Sequence, residues 1–164
     1  MHSLGSPSRG RVGGAALAAL AALTLAITLA STSPAQASGN CPGRLIEHKA
    51  LTSGLGWLDV YYDAATGRNC ARTVSSAATW GVQKWMIVDL VRCTSTKPTQ
   101  PCGDYDDVYD HGSYRFYAGP VSIAARGRCI AAFGFIGTGT RRGRAQIGRI
   151  QPTNDKRSYG THCG

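Results

Sequence analysis

Six cysteines constrain this chain more than any other feature, because a small domain that pairs its cysteines is held together by covalent links. All six lie after residue 40, at Cys41, Cys70, Cys93, Cys102, Cys129 and Cys163. An even number of cysteines in a chain bound for an oxidising compartment predicts three disulfides. The chain has no CxxC pair and its histidines are scattered, so these cysteines do not predict a zinc site.

One disulfide can be predicted from spacing. Cys93 and Cys102 enclose only the eight residues TSTKPTQP, a turn-prone stretch that brings the two cysteines close together. We therefore expect Cys93 to be bonded to Cys102. The pairing of the other four cysteines stays open.

The first 37 residues have the pattern of a secretory signal peptide. Arg9 and Arg11 precede an uncharged apolar run over residues 13–30, and Ala35-Gln36-Ala37 is a small-x-small cleavage site. The alternative is a membrane anchor, but no positive charge follows the apolar run. We predict cleavage after Ala37. No later stretch is long enough to cross a bilayer, so no membrane partner is expected after cleavage.

Removal of 37 of the 164 residues leaves a single domain of 127 residues, 38–164. The signal peptide takes two of the 18 basic residues and none of the 9 acidic ones, so the mature domain has a net charge of +7. This size and charge exclude large multidomain enzymes and indicate a partner that carries negative charge.

The mature sequence is typical of an all-β domain. The segment 55–63 alternates apolar and polar residues, turns at Gly67 and returns over 68–75, which predicts a hairpin. Residues 85–93, WMIVDLVRC, predict a buried strand. Gly119-Pro120 indicates a bulge or an edge strand. About seven short strands predict a small antiparallel β-sandwich or barrel held by disulfides.

Three other segments complete the secondary-structure prediction. The pattern over 77–84 is the one candidate for an amphipathic helix. Residues 137–143, rich in Gly, Thr and Arg, predict a loop, and residues 145–150 predict a last strand.

The segment 114–130, YRFYAGPVSIAARGRCI, resembles the spore-associated protein A family of small secreted actinobacterial proteins. Cys41, Cys70, Cys129 and Cys163 match the family's cysteines, whereas Cys93 and Cys102 are an addition in this chain. The family tends to have Asp-Trp-Gly-Gly after its Cys-Ile, where this chain has residues 131–134, AAFG. The resemblance implies a secreted protein of the spore or cell surface without an assigned reaction, and it supplies no catalytic residues.

A basic cluster near the carboxyl end is the candidate binding site. It comprises Arg141, Arg142, Arg144 and Arg149, with Lys156 and Arg157 nearby. Charge alone would attract either nucleic acid or an anionic polymer of the cell wall or spore surface. We expect the polymer rather than nucleic acid. The alternative is a solvated arginine-rich loop without a ligand.

The segment Asp104–Asp110 packs four carboxylates into seven residues. Such oxygen-rich segments can hold Ca²⁺, but this one lacks the glycine and distal glutamate of an EF-hand loop. We interpret it as a solvated acidic loop that faces the arginines, and no metal or cofactor is expected.

Catalytic chemistry has weak sequence support. Asp110-His111 and His162 are candidates for an acid–base pair, and Glu47 is the one mature glutamate. Residues 139–150 with Tyr159 and His162 are faintly similar to small guanyl-specific ribonucleases, but Glu47 falls on the first strand. The chain has no GxSxG, HExxH or phosphate-binding glycine loop.

Three functions therefore compete. The first is a secreted, non-catalytic protein of the spore or cell surface. The second is a secreted binding or protease-inhibitor-like module that uses the Cys93–Cys102 loop. The third is a small hydrolase such as a ribonuclease. The 13 aromatic residues exceed what a small core needs, so some of them are candidates for a polymer-binding face, with core or edge cover as the alternative.

Overall fold

The domain is an antiparallel β-sandwich. The computed structural model describes residues 39–149 and 159–164. Its strands are β1 (Arg44–Ala50), β2 (Gly56–Asp63), β3 (Arg68–Ser75), β4 (Lys84–Cys93), β5 (Tyr105–Tyr114), β6 (Tyr117–Ala124), β7 (Ile130–Thr138) and β8 (Arg141–Ile147). They form two four-stranded sheets, in the orders β1-β2-β3-β6 and β5-β4-β7-β8. The predicted all-β class is confirmed, and of the two predicted architectures the sandwich is the correct one. The predicted signal peptide, 1–37, lies outside the described residues.

The core lies between the two sheets, as the alternation of apolar residues requires. Leu58 and Val60 of β2 face Met86, Val88 and Leu90 of β4 in one cluster, and all five side chains are fully buried. The outward residues of β4 between them are partly exposed. Each sheet therefore has one face in the core and one face toward solvent.

The predicted hairpin is β2 and β3, which pair along their whole length. The side chain of Asp63 closes its turn, because Oδ1 accepts from the Ala65 amide at 3.0 Å and Oδ2 accepts from the Thr66 hydroxyl at 2.6 Å. Gly67 has φ +68°, which L-residues with side chains rarely adopt. These turn contacts lower the pKa of Asp63, the Thr66 hydrogen bond most of all.

Gly119 and Pro120 lie in β6, at one edge of the first sheet, as their sequence indicated. Pro120 has no amide hydrogen to donate, and the edge position leaves one side of the strand without a partner strand. The register between β3 and β6 shifts between Ala71 and Thr73, opposite this pair.

The helix expected over 77–84 is wrong. Only Ala77–Thr79 forms a short 3-10 turn, and β4 begins at Lys84. Gly81 has φ +78°, outside the helical region, and Lys84 is buried at the start of the strand instead of facing solvent. The apolar residues that suggested a helix therefore belong to a loop and to the start of β4.

Two segments predicted as loops are strands. The acidic segment Asp104–Asp110 lies almost entirely in β5, and the arginines of the predicted loop 137–143 begin β8. Both are edge strands, where charged side chains can point into water without disturbing the pairing. The connection between β7 and β8 contains only Gly139 and Thr140, and Gly139 has φ +55°.

Three disulfides hold the described domain. Cys93 is bonded to Cys102, the pair that their short separation indicated. The family-matched cysteines pair among themselves, Cys41 with Cys70 and Cys129 with Cys163. The last bridge fixes the carboxyl-terminal residues against the start of β7, where Thr161 also exchanges two backbone hydrogen bonds with Ile130.

No helix among the described residues has the length and apolar character needed to cross a membrane.

Candidate functional site

Two of the predicted binding residues project together from the edge strand β8. Arg142 and Arg144 are exposed, while Gly143 and Ala145 between and beyond them are buried against the core. Because side chains alternate along a strand, the two guanidinium groups lie on the outer face of the second sheet. That face is the candidate site.

The structure places the other basic residues differently. Arg141 donates from its guanidinium to the carbonyl oxygen of Ser53 at 2.7 Å, so it ties β8 to the turn after β1. Arg149 follows β8 and exchanges two backbone hydrogen bonds with Tyr159. Lys156 and Arg157 lie outside the described residues. Among the described members of the cluster, Arg142 and Arg144 are therefore the two that share this face.

The strand register sets the neighbours of Arg142. Arg142 pairs with Gly137 of β7, Gly137 pairs with Trp85 of β4, and Trp85 pairs with Ser113 of β5. Adjacent strands lie about 4.8 Å apart, so this row crosses the face over about 14 Å. An arginine and an exposed tryptophan thus share one end of the outer face.

The next row continues this arrangement. Arg144 pairs with Phe135, Phe135 pairs with Ile87, and Ile87 pairs with His111. Arg144 and Phe135 line a groove of about 410 Å³, together with Thr52, Arg142 and Gly143. Guanidinium groups beside an aromatic ring offer planar hydrogen bonding to phosphate or carboxylate groups of a ligand.

Aromatic rings continue across the same face. The Trp85 ring lies 5.8 Å from the His111 ring, and the His111 ring stacks on Tyr109 at 5.4 Å between centroids. Trp85 is 46% exposed and Tyr109 is 60% exposed. Trp85 and Tyr109 are therefore exposed rings outside the core, and Tyr109 lies on the edge strand β5.

A half-buried carboxylate lies among these rings. Asp89 of β4 pairs with Tyr109 on one side and Phe133 on the other. Burial raises the pKa of Asp89 to about 6, and the negative charge of Asp107 acts in the same direction. One of its oxygens, Oδ1, is buried without a hydrogen-bond partner among the described residues. Sequence reasoning did not identify Asp89, because one charge within an apolar strand carries no pattern.

The acidic segment does not face the arginine cluster, contrary to expectation. β5 and β8 are the opposite edges of the second sheet. Asp106 forms an ion pair with Arg92 of the neighbouring strand, while Asp110 turns inward to accept from the Tyr114 hydroxyl at 2.5 Å and the Gly119 amide at 2.7 Å. Asp107 lies on the opposite side of β5 from Asp106 and Asp110, and those two are separated along the strand, so the carboxylates do not converge on one point. The described part of the chain holds no group of three metal-ligating side chains.

The candidate acid–base residues are brought together in a different combination. Asp110 accepts hydrogen bonds from Tyr114 and Gly119, and the His111 ring lies between the rings of Trp85 and Tyr109. His162 Nε2 lies 3.1 Å from Glu47 Oε2, so these two do form a pair. They lie beside a pocket of about 190 Å³ whose lining is Ile46, Tyr62, Asn69, His162, Cys163 and Gly164. Among the described residues, that lining contains no arginine, which guanyl-specific ribonucleases combine with Glu and His.

A second histidine pair was missed by sequence reasoning. On the outer face of the first sheet, the buried Asp59 accepts from His48 Nδ1 at 2.6 Å and from two nitrogens of Arg72 at 3.2 and 3.1 Å. The Tyr61 hydroxyl also accepts from Arg72, at 2.9 Å. His48, Asp59 and Arg72 are direct neighbours across β1, β2 and β3. Because the cluster closes on itself across three strands, it stabilises the sheet.

These features define a small disulfide-linked β-sandwich with a basic and aromatic outer face, a kind of domain that belongs outside the reducing cytoplasm. Spore-associated protein A of Streptomyces coelicolor is 32% identical to this chain over 138 residues, which cover 82% of this chain and 73% of that protein. The chain therefore belongs to the spore-associated protein A family. No protein-family model matches the chain, and no solved structure matches it.

Proposed function

We propose that this chain is a secreted, non-catalytic protein of the spore or cell surface, and that it attaches to an anionic surface polymer through Arg142 and Arg144. The relative is named for its association with spores. The disulfides favour a location outside the cytoplasm, and the pattern of residues 1–37 supports export with cleavage after Ala37.

The observation that carries the proposal is the shared orientation of the two arginines. They project from one edge strand beside Phe135 and line the same groove of about 410 Å³. Two guanidinium groups on one face of a strand suit a polymer with repeated phosphate or carboxylate groups, because each can pair with a separate anionic group. The net charge of +7 on residues 38–164 draws such a polymer toward the protein from a distance.

The absence of a catalytic role is part of the proposal. The Glu47–His162 pair is the arrangement nearest to an acid–base site for RNA, but the described lining of its pocket contains no lysine or arginine that could hold a phosphate. Asp59 holds His48 and Arg72 in a closed cluster.

A co-sedimentation assay tests the proposal. The processed protein is mixed with isolated cell-wall or spore-coat material, and the bound fraction is measured from about 0.1 M to about 1 M NaCl, over which the screening length falls from about 10 Å to about 3 Å. Arg142→Gln with Arg144→Gln should lower binding about tenfold at low salt and leave the melting temperature unchanged. The matched control is Lys49→Gln with Lys97→Gln, which removes the same charge from exposed residues elsewhere.

The control pair should lower binding much less, since only the long-range attraction changes. If the arginine variant and the lysine variant lose binding to the same extent, a defined site at Arg142 and Arg144 is contradicted. Cleavage of RNA by the purified protein, lost on His162→Ala, would contradict the non-catalytic assignment.

A further inference from the structure

A second groove opens at the end of the sandwich where β5 turns into β6. It has a volume of about 320 Å³ and is lined by Gln83, Ser113, Tyr114, Arg115, Phe116, Tyr117 and Gly119. The lining combines an amide, hydroxyl groups and a guanidinium with aromatic rings. Ligand sites of this kind use the rings for contact area and a few polar groups for orientation.

Exposed aromatic and apolar side chains surround this groove. Trp80 is 53% exposed, Val82 is 49% exposed, and the Trp80 ring lies 5.0 Å from the ring of Phe116 in the groove lining. Trp85, which is 46% exposed, pairs directly with Ser113. Trp80 and Trp85 are therefore half-exposed at the rim of the groove, where a bound ligand would cover them.

Lys84 holds the two loops of the groove in place. It is buried, and its ammonium group donates to the carbonyl oxygens of Thr79 at 2.8 Å, Val82 at 2.6 Å and Arg115 at 2.8 Å. Arg115 in turn donates to the carbonyl of Gly81 at 2.9 Å. The loop that carries Trp80 is therefore fixed to the β5–β6 turn before any ligand arrives, which lowers the entropic cost of binding.

The chemistry of the groove favours a sugar over an apolar ligand. Flat rings can pack on the apolar face of a sugar, while the Gln83 amide and the Ser113 hydroxyl can exchange hydrogen bonds with its hydroxyl groups. Arg115 is the charged residue of the described lining, and the neighbouring carboxylate of Asp110 is already bonded to Tyr114 and Gly119. A sugar that carries negative substituents matches this charge.

We propose that this groove binds a sugar unit of an anionic glycan, the same polymer that Arg142 and Arg144 hold. This inference rests on the proposed function and names its ligand class. The row of Arg142, Gly137, Trp85 and Ser113 joins the two sites along one line of about 14 Å. One glycan strand that crosses the end of the sheet contacts the arginines and the tryptophans together.

Titration with a size-fractionated acidic oligosaccharide, prepared by mild hydrolysis of the cell-wall glycan, tests this inference. Binding is followed by calorimetry at about 0.1 M and about 1 M NaCl. Trp80→Ala and Trp85→Ala should each weaken binding about tenfold at both salt concentrations, because stacking is not screened by salt. Leu45→Ala is the matched control, since Leu45 is 42% exposed on the first sheet, and it should bind as wild type does.

The variant Arg142→Gln with Arg144→Gln separates this inference from the proposed function. It should weaken oligosaccharide binding at low salt only, because salt screens the charge pairing but not the stacking. Unchanged binding in both tryptophan variants overturns the sugar groove and leaves the arginine site standing. Loss in the tryptophan variants with no effect of the arginine pair supports the groove and contradicts the charge-based attachment. Binding to anionic phospholipid vesicles that depends on Trp80, without binding to the oligosaccharide, overturns the groove in favour of a membrane surface.

Discussion

A single carboxylate is the least expected residue on the outer face of the second sheet. Asp89 lies between Tyr109 and Phe133, where burial and the charge of Asp107 raise its pKa to about 6. Other charged or titratable side chains of this face are Tyr109 and His111 on β5 and Arg142 and Arg144 on β8. A carboxyl group whose pKa is higher in the folded state than in the unfolded state destabilises the fold once it ionises.

We predict that Asp89→Asn stabilises the protein at neutral pH. The folded group binds its proton more tightly than the unfolded group, whose pKa is 3.8, so the stability of wild type falls as the pH rises from about 4 through about 6. The variant should resist urea better at about pH 7, and its advantage should vanish near pH 4. Asp104→Asn, at an exposed position, is the control and should change little. A constant difference at every pH would contradict this assignment.

At the scale of elements, the connection between β4 and β5 is fixed by its own disulfide. Cys93 and Cys102 are both buried and form a small second core with Val91, Cys129 and Ala131. The family-matched bridge between Cys41 and Cys70 spans 29 residues of sequence, against 9 for Cys93 and Cys102. A bridge that closes a longer loop restricts the unfolded chain more.

We predict that replacing both Cys93 and Cys102 by Ser lowers the free energy of unfolding by about 2–3 kcal/mol and keeps the fold. Replacing Cys41 and Cys70 should lower it by about 1 kcal/mol more, because the longer loop gains more freedom on unfolding. Urea unfolding at neutral pH measures both. No loss in the first variant, or a smaller loss in the second than in the first, would contradict this ranking.

The sequence predicted those elements whose pattern is local. Residues 85–93 were identifiable as a strand by their branched side chains, and the β2–β3 hairpin by Gly67. The acidic segment 104–110 and the arginines after Gly139 looked like loops, because composition alone does not distinguish a charged loop from a charged edge strand. The tertiary position that decides between them, at the sheet edges, is set by pairing with distant residues.

The candidate site was predictable only in part for the same reason. Arg142 and Arg144 stood out as a cluster in the sequence, but their row with Trp85 depends on two strand pairings, β4 with β7 and β7 with β8. The sequence separation between Trp85 and Arg142 gives no sign of that row. Lys84 was equally hidden, because a lysine between loop and strand is usually solvated.

Across the whole molecule, opposite charges collect at opposite edges of one sheet. Four carboxylates belong to the segment leading into and along β5, and the exposed Arg142 and Arg144 belong to β8, with the aromatic face between them. Under the proposed function, an anionic polymer would be attracted to the β8 edge and repelled by the β5 edge. This asymmetry would orient it across the end of the sheet that carries Trp85.

The most direct test of surface attachment is the distribution of the protein in the organism that produces it. Strains expressing wild type, Arg142→Gln with Arg144→Gln, or Lys49→Gln with Lys97→Gln are grown to sporulation, and the protein is quantified in the culture medium and in a wash of the surface with about 1 M NaCl. Wild type and the lysine variant should be found mainly in the wash, and the arginine variant mainly in the medium. An arginine variant that stays on the surface to the same extent as wild type would contradict attachment through this face.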